Sequence, residues 1–325
     1  TLYVDGVPRI SHSFVDSLKD GSVGVGVRDA ISRFDNVAVN ELISESPPPG
    51  TLPLAEDFDD GVADHFLVRS GFAGIGNGRY QITPQMDGDG VSTVVLEAAL
   101  PGNVEIQATI NADDASGGRL SNAFLIFDYV NATDFKFAGA YVGADQWLIG
   151  HRNATGWVTD AYVRAGIDAL ADYDLRVTLE TDGTATLFVG GAERVWHAFG
   201  ESLTDGDIGV GTYNAMSRFD DFALRSHPKA ALPFAEDFNG DDAEFFESRL
   251  GQWAISNNQF EVVPAADADG ISTLRVQALP DSFEIEAVIN ADPAAPGRLT
   301  NAFLIFDYHG PSDFNFAGAY VGSDQ

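Results

Sequence analysis

The chain has 325 residues with 49 Asp+Glu against 18 Lys+Arg, a formal net charge of −31 at pH 7, and no cysteine. That charge repels nucleic acid, whose backbone is bound through clustered Lys and Arg, and the missing thiols exclude disulfides and thiolate metal sites. No apolar run reaches the ~18 residues of a membrane-spanning helix.

In chain order, the first 43 residues read as the closing part of a unit that recurs. The segment from Leu2 through SRFDNVAV returns at 187–224 as LFVGGAERVWHAF…SRFDDFAL. A proline-rich stretch at 44–50 (SESPPPG) is extended and semi-rigid, so it is read as a linker. A complete unit spans 51–226 and opens with LPLAEDF. In it, Val104, Ile106, Ala108 and Ile110 alternate with polar neighbours, the period-two signature of a strand with one buried face. Further strands are expected at 92–98, 123–129, 135–142, 147–151, 157–163, 194–199 and 207–213. Two alternating runs, Leu175–Leu179 and Ala185–Val189, flank Asp182-Gly183, a strong hairpin signal. Residues 227–231 are a second linker, and LPFAEDF then begins the front part of another unit, 232–325. NAFLIFDY occurs at 122–129 and again at 301–308. The period of about 180 residues is a whole domain rather than a short solenoid repeat. No segment carries an apolar stripe at helical spacing. The expected fold is therefore all-β, with tandem jelly-roll β-sandwich domains, one complete and two partial.

Each unit opens with Ala-Glu-Asp-Phe (55–58 and 235–238) and continues into a glycine-containing hairpin (Gly71–Tyr80; Gly251, Trp253, Ile255, Phe260). Each closes with D-G-x-[VI]-G-V-G and then R-F-D-[ND]. This pattern resembles the laminin-G-like, concanavalin-type jelly-roll domains of bacterial secreted and surface proteins. The resemblance implies an extracellular or cell-surface location and a fold that hosts lectins, adhesion modules, hydrolases and spacers. It also implies a structural calcium between opening and closing strands. That role maps onto Asp57 with Asp220, and Asp237 and Asp35 hold the same places in the partial units. Six to eight oxygens would be needed, backbone carbonyls among them. The alternative is that these aspartates only cap strand ends.

Catalytic candidates fail to recur between copies. Glu284 and Glu286 lie two apart on an expected strand, but the complete unit has Glu105 and Gln107 there. His65 becomes Phe245, and His309 stands where the complete unit has Val130. Gly71–Gly78 corresponds to GQWAISNN, a turn rather than a phosphate cradle. The aspartates of Asp87–Gly90 lack the rest of an EF-hand loop.

Glycan binding offers a sharper set: aromatic platforms beside amide, carboxylate and imidazole groups. Phe135, Phe137 and Tyr141 share one side of a strand. Trp147, His151, Arg152, Asn153 and Trp157 follow closely, and Tyr213, Asn214 and Arg218 precede the closing strand. Most phenylalanines are expected in the core. Trp147, His151, Arg152, Trp157, Tyr213 and Asn214 are the candidate ligand-binding residues. Asn131-Ala132-Thr133 and Asn153-Ala154-Thr155 also fit the N-glycosylation pattern.

The partial units at the two ends together supply most of one domain. Head-to-tail association with neighbouring copies of the same repeat is therefore expected. The leading expectation is a non-enzymatic structural segment of a large extracellular bacterial protein, a surface filament or adhesin stalk. A carbohydrate-binding lectin-like array comes second and a degenerate glycoside-hydrolase-like domain third.

Overall fold

A computed structural model describes residues 2–4, 7–10, 24–34, 46–240, 243–264, 267–291 and 299–321. Asp35 lies outside the described residues. At the start, β1 (Leu2–Val4) and β2 (Val7–Ile10) pair antiparallel.

The complete unit opens with β3 (Leu54–Glu56), β4 (Phe66–Ser70), β5 (Phe72–Gly76), β6 (Arg79–Thr83) and β7 (Asp89–Val94). Its middle holds β8 (Val104–Ala112), β9 (Asn122–Asn131), β10 (Asp134–Tyr141), β11 (Gln146–Asn153) and β12 (Gly156–Arg164). It closes with β13 (Asp172–Leu179), β14 (Thr184–Val189), β15 (Ala192–Ala198), β16 (Asp207–Tyr213) and β17 (Ser217–Ser226). Seven strands form one sheet in the order β12-β11-β10-β9-β16-β7-β4. The other sheet runs β15-β14-β13-β8-β17-β6-β5, with β3 also paired to β17. The chain changes sheet between β3 and β4, β4 and β5, β6 and β7, β7 and β8, β8 and β9, β12 and β13, β15 and β16, and β16 and β17. This interleaving makes the unit a jelly-roll sandwich, as its alternation predicts.

The main core lies between the sheets. Ile106, Leu125, Phe127, Ile149, Val177, Val210, Phe219 and Phe222 are among its buried side chains. The Ala-Glu-Asp-Phe opening has a defined job there. Phe58 adopts a left-handed φ of 56°, its N–H donates to Glu56 Oε1 at 3.0 Å, and its ring stacks on Tyr80 at 5.2 Å. Phe238 repeats this with φ 54°, a 2.9 Å bond to Glu236 Oε1, and a stack on Phe260 at 5.3 Å. The recurring motif is thus a left-handed turn that lays an aromatic ring on its neighbour, and in the complete unit that ring is fully buried in the core.

The following unit contributes β18 (Phe246–Leu250) paired with β21 (Ile271–Leu274), and β19 (Trp253–Ser256) paired with β20 (Gln259–Val262). Its last pair is β22 (Asn301–Gly310) with β23 (Asp313–Tyr320). The strand expected around Glu284 and Glu286 does not form: residues 283–291 have no ladder and both glutamates are exposed. In the complete unit the matching strand β8 lies between β13 and β17.

Candidate functional site

The seven-stranded sheet is apolar on both faces. Ala123, Leu125 and Phe127 of β9 face the main core, while Phe124 and Ile126 face a second cluster with Val91, Phe135, Phe137 and Leu148. The edge strand β12 curls over this second face. A Cβ on Gly150 would collide with the Val158 carbonyl and the Phe137 ring, so only glycine allows that approach. The β11–β12 register shifts between Ile149 and Gly150, which leaves Asp160 unpaired opposite them.

Two polar arrangements follow from this curl. On the second face, the Trp157 ring centroid lies 4.4 Å from that of Phe137 and 5.9 Å from that of Tyr213. Trp157 Nε1 donates to Asp89 Oδ1 at 2.8 Å, and Arg152 Nε donates to Asp89 Oδ2 at 3.1 Å. Asp89 thereby pins the tryptophan as a lid over the aromatic cluster.

The second arrangement is a cleft of about 260 Å³ at the mouth of the sandwich, where β10, β11 and β12 face the end of β15. His151 Nδ1 donates to Asp160 Oδ2 at 2.7 Å, and its Nε2 accepts from Asn153 Nδ2 at 3.2 Å. Both ring nitrogens are thus engaged and the imidazole is fixed in orientation. Asn153 is in turn held by Thr155, whose N–H and hydroxyl donate to its Oδ1 at 2.8 and 2.6 Å.

Beside His151 on the same wall, where Lys136 of β10 is its register partner, Lys136 Nζ pairs with Asp128 Oδ2 at 2.5 Å and with Glu201 Oε1 at 2.9 Å. It also lies 5.5 Å from the Phe199 ring centroid. Asp128 Oδ1 accepts the Gly206 N–H at 3.0 Å. Burial works against the Lys136 ammonium, but the two carboxylates outweigh it and hold its pKa above the ordinary lysine value. Burial also pushes the Asp128 carboxyl up, against the pull of Lys136. His197 stands edge-on to Phe199 at 4.6 Å, and Asp134, Phe135 and Arg152 complete the lining.

The sequence candidates therefore separate. His151, Arg152 and Asn153 line the mouth, whereas Trp157 and Tyr213 meet on the second face. Trp147 is a correction. It is 3% exposed in the main core, against Tyr173 at 5.2 Å, because residues 147, 149 and 151 of β11 point inward. Asn214 is a buried loop pin: its Oδ1 accepts the Asp87 N–H at 3.0 Å, and its amide donates to Gly118 O at 3.0 Å. Arg218 is tied to Asp113 and Asn111.

Of the calcium candidates, Asp57 Oδ1 accepts the Asp59 N–H at 3.1 Å, and Asp237 Oδ1 accepts the Asn239 N–H at 3.0 Å. The cation facing Asp220 is Arg79, with Nε 3.6 Å from Oδ2, and Arg79 also grips Asp172 with two bonds of 2.7 and 2.8 Å. Among the described residues no group of three or more acidic or histidine side chains is poised around a metal position.

Sequence reasoning passed over Lys136, Asp128, Asp160 and Glu201, and weighed Asp89 only as part of a calcium-loop-like turn. A signal existed for Lys136. It is one of only three lysines, at an inward position of a strand whose next inward residues are Ala138 and Ala140.

No protein-family profile and no curated protein matches the chain. Among solved structures it is similar to the carbohydrate-binding module CBM66 from Bacillus subtilis, at TM-score 0.44 and 15% identity, covering 55% of this chain and 100% of that one. It is also similar to the Emp47p carbohydrate recognition domain (TM-score 0.40, 12% identity, covering 53% and 94%). A third is the xylan β-1,4-xylosidase from Bacillus halodurans C-125 (0.39, 12%, covering 58% and 41%).

Proposed function

We propose that the complete unit is a carbohydrate-binding module within a chain of like repeats, and that its ligand enters the mouth of the sandwich. The observation that carries this reading is the cleft itself. It sets an oriented His151–Asp160–Asn153 group, with Lys136 beside it, in one cleft with Glu201 and the Phe199 ring. Sugars are held by paired hydrogen bonds from fixed acceptors and donors beside an aromatic surface, which this wall provides. An extracellular or surface setting suits such a module.

Glycan-array screening of the full chain, followed by calorimetry on the best ligand, tests the proposal. Asp160→Asn and His151→Ala are each expected to weaken binding about tenfold or more, since each leaves a buried or oriented partner unsatisfied. Binding that ignores both substitutions would rule out this cleft.

A purely structural, stalk-like role is the second reading. It is favoured by the buried ionic joint between the complete unit and the one after it.

A further inference from the structure

The outer face of the eight-stranded sheet carries Glu105 on β8, Arg176 on β13, Phe188 on β14 and Glu193 on β15. The following unit sets Glu247 and Arg249 of β18, together with Arg275, against this face. Glu105 and Glu247 are 1% and 2% exposed. Arg176 Nη1 lies 3.3 Å from Glu105 Oε2 and also pairs with Glu247 Oε1. His227, in the linker, stands between the carboxylates, with Nε2 2.9 Å from Glu247 and Nδ1 3.4 Å from Glu105. Arg225 Nη2 closes on Glu105 at 2.6 Å, and Arg275 Nη1 donates to Pro228 O at 2.5 Å. At the rim, Arg249 Nη1 meets Glu193 Oε2 at 3.1 Å, and the Arg176 guanidinium lies 3.7 Å from the Phe188 ring centroid.

The repeat makes a comparison possible. In the complete unit, the positions of His227, Glu247 and Arg275 are held by Pro47, Leu67 and Val95. In the unit before it, the position of Glu193 is held by Pro8. Arg249 does recur, as Arg69, but Arg69 pairs with Asp207 inside its own unit at 2.6 Å. One junction is therefore charged on both sides, whereas at the other the three plug positions and the one socket position compared, Pro8, carry no charge.

We propose that the repeats recognise their neighbours by junction chemistry. The socket of Glu105, Arg176 and Glu193 accepts a following repeat whose plug carries the glutamate and arginine of positions 247 and 275, and rejects one with leucine and valine there. The physical basis is asymmetric. A matched set of buried charges is tolerated, whereas an apolar plug would bury socket charges without partners. Which face docks on which neighbour is then set by mismatch as much as by attraction. This inference is independent of the glycan reading.

The test is hydrogen exchange on the full chain, read by mass spectrometry. The double variant Glu247→Leu/Arg275→Val installs the plug of the other junction. It is expected to speed exchange across 246–250 and 271–274 by about tenfold or more, with β9 and β10 unchanged. Arg176→Glu, which breaks the socket side, is expected to do the same. Adding Glu105→Leu and Arg176→Met to the double variant removes the stranded socket charges and is expected to restore much of the protection. Wild-type protection in the double variant would overturn the proposal. So would failure of the matched apolar variant to restore any protection, which would mean that the substitutions merely unfold the second unit.

Discussion

Lys136 shows what a single side chain adds at this site. It is 5% exposed, and its partner Asp128 is buried too, so removing one charge strands the other. Lys136→Met is expected to lower unfolding stability by about 3 kcal/mol in urea denaturation, whereas Asp128→Leu combined with Lys136→Met should recover much of that loss. Because the folded pKa of Lys136 lies above its ordinary value, its stabilising share is fully present below that value. It is lost as pH rises through the folded pKa. Asp89 plays a different part. Asp89→Ala releases Trp157 Nε1 and Arg152 together, and a red shift of tryptophan fluorescence is the expected readout. Neither role was legible in sequence, because both depend on strands distant in the chain: Asp89 meets Trp157 only where β12 has curled back.

At the level of elements, most strands of the complete unit were legible, and their faces were too where alternation marks one apolar side, as in β8. Alternation located β8 and β13, and Asp182-Gly183 located the β13–β14 turn. The run NAFLIFDY of β9 has no alternation because its sheet is covered on both sides, by the main core and by the Trp157 cluster. The recurring opening motif was legible as a repeat, but its task, a left-handed turn burying Phe58, required the fold. Phe58→Ala is expected to cost about 3–5 kcal/mol in the complete unit, measured by denaturant unfolding. The strand-end aspartates illustrate the reverse. The resemblance suggests calcium at Asp57 and Asp220, yet Arg79 stands against Asp220. Chelation with EDTA is therefore expected to leave the thermal midpoint unchanged, and a calcium-dependent midpoint would return the ion to these residues.

At the scale of the whole molecule, the joint after the complete unit couples two repeats through buried charge. Burial opposes ionisation of Glu247, but the His227 hydrogen bond and the charges of Arg176, His227 and Arg249 outweigh it and hold its pKa down to about 2, from an ordinary 4.5. A depressed carboxylate stabilises the folded joint above its unfolded value and ceases to do so as pH falls through its folded one. Docking is thus expected to weaken from about pH 4.5 toward pH 2, seen as an increase in the radius of gyration by small-angle scattering. Glu247→Gln should flatten that dependence. The groups facing His227 and Glu247 here are Glu105 from β8, Arg176 from β13, Arg225 from β17, Arg249 from β18 and Arg275, with the Lys229–Glu180 pair at 2.7 Å beside the linker.

From the sequence by itself come the repeat and the all-β architecture. Each of these is written in local spacing or in comparison between copies. Only the tertiary structure decided that Trp147 is core and Trp157 a lid, that Lys136 and His151 face one cleft, and that Glu105 and Glu247 share one buried joint. Those outcomes depend on which strands become neighbours and which way a curled edge strand turns its side chains. Pairing of strands dozens of residues apart is set by the packing of the whole sandwich, not by any local pattern.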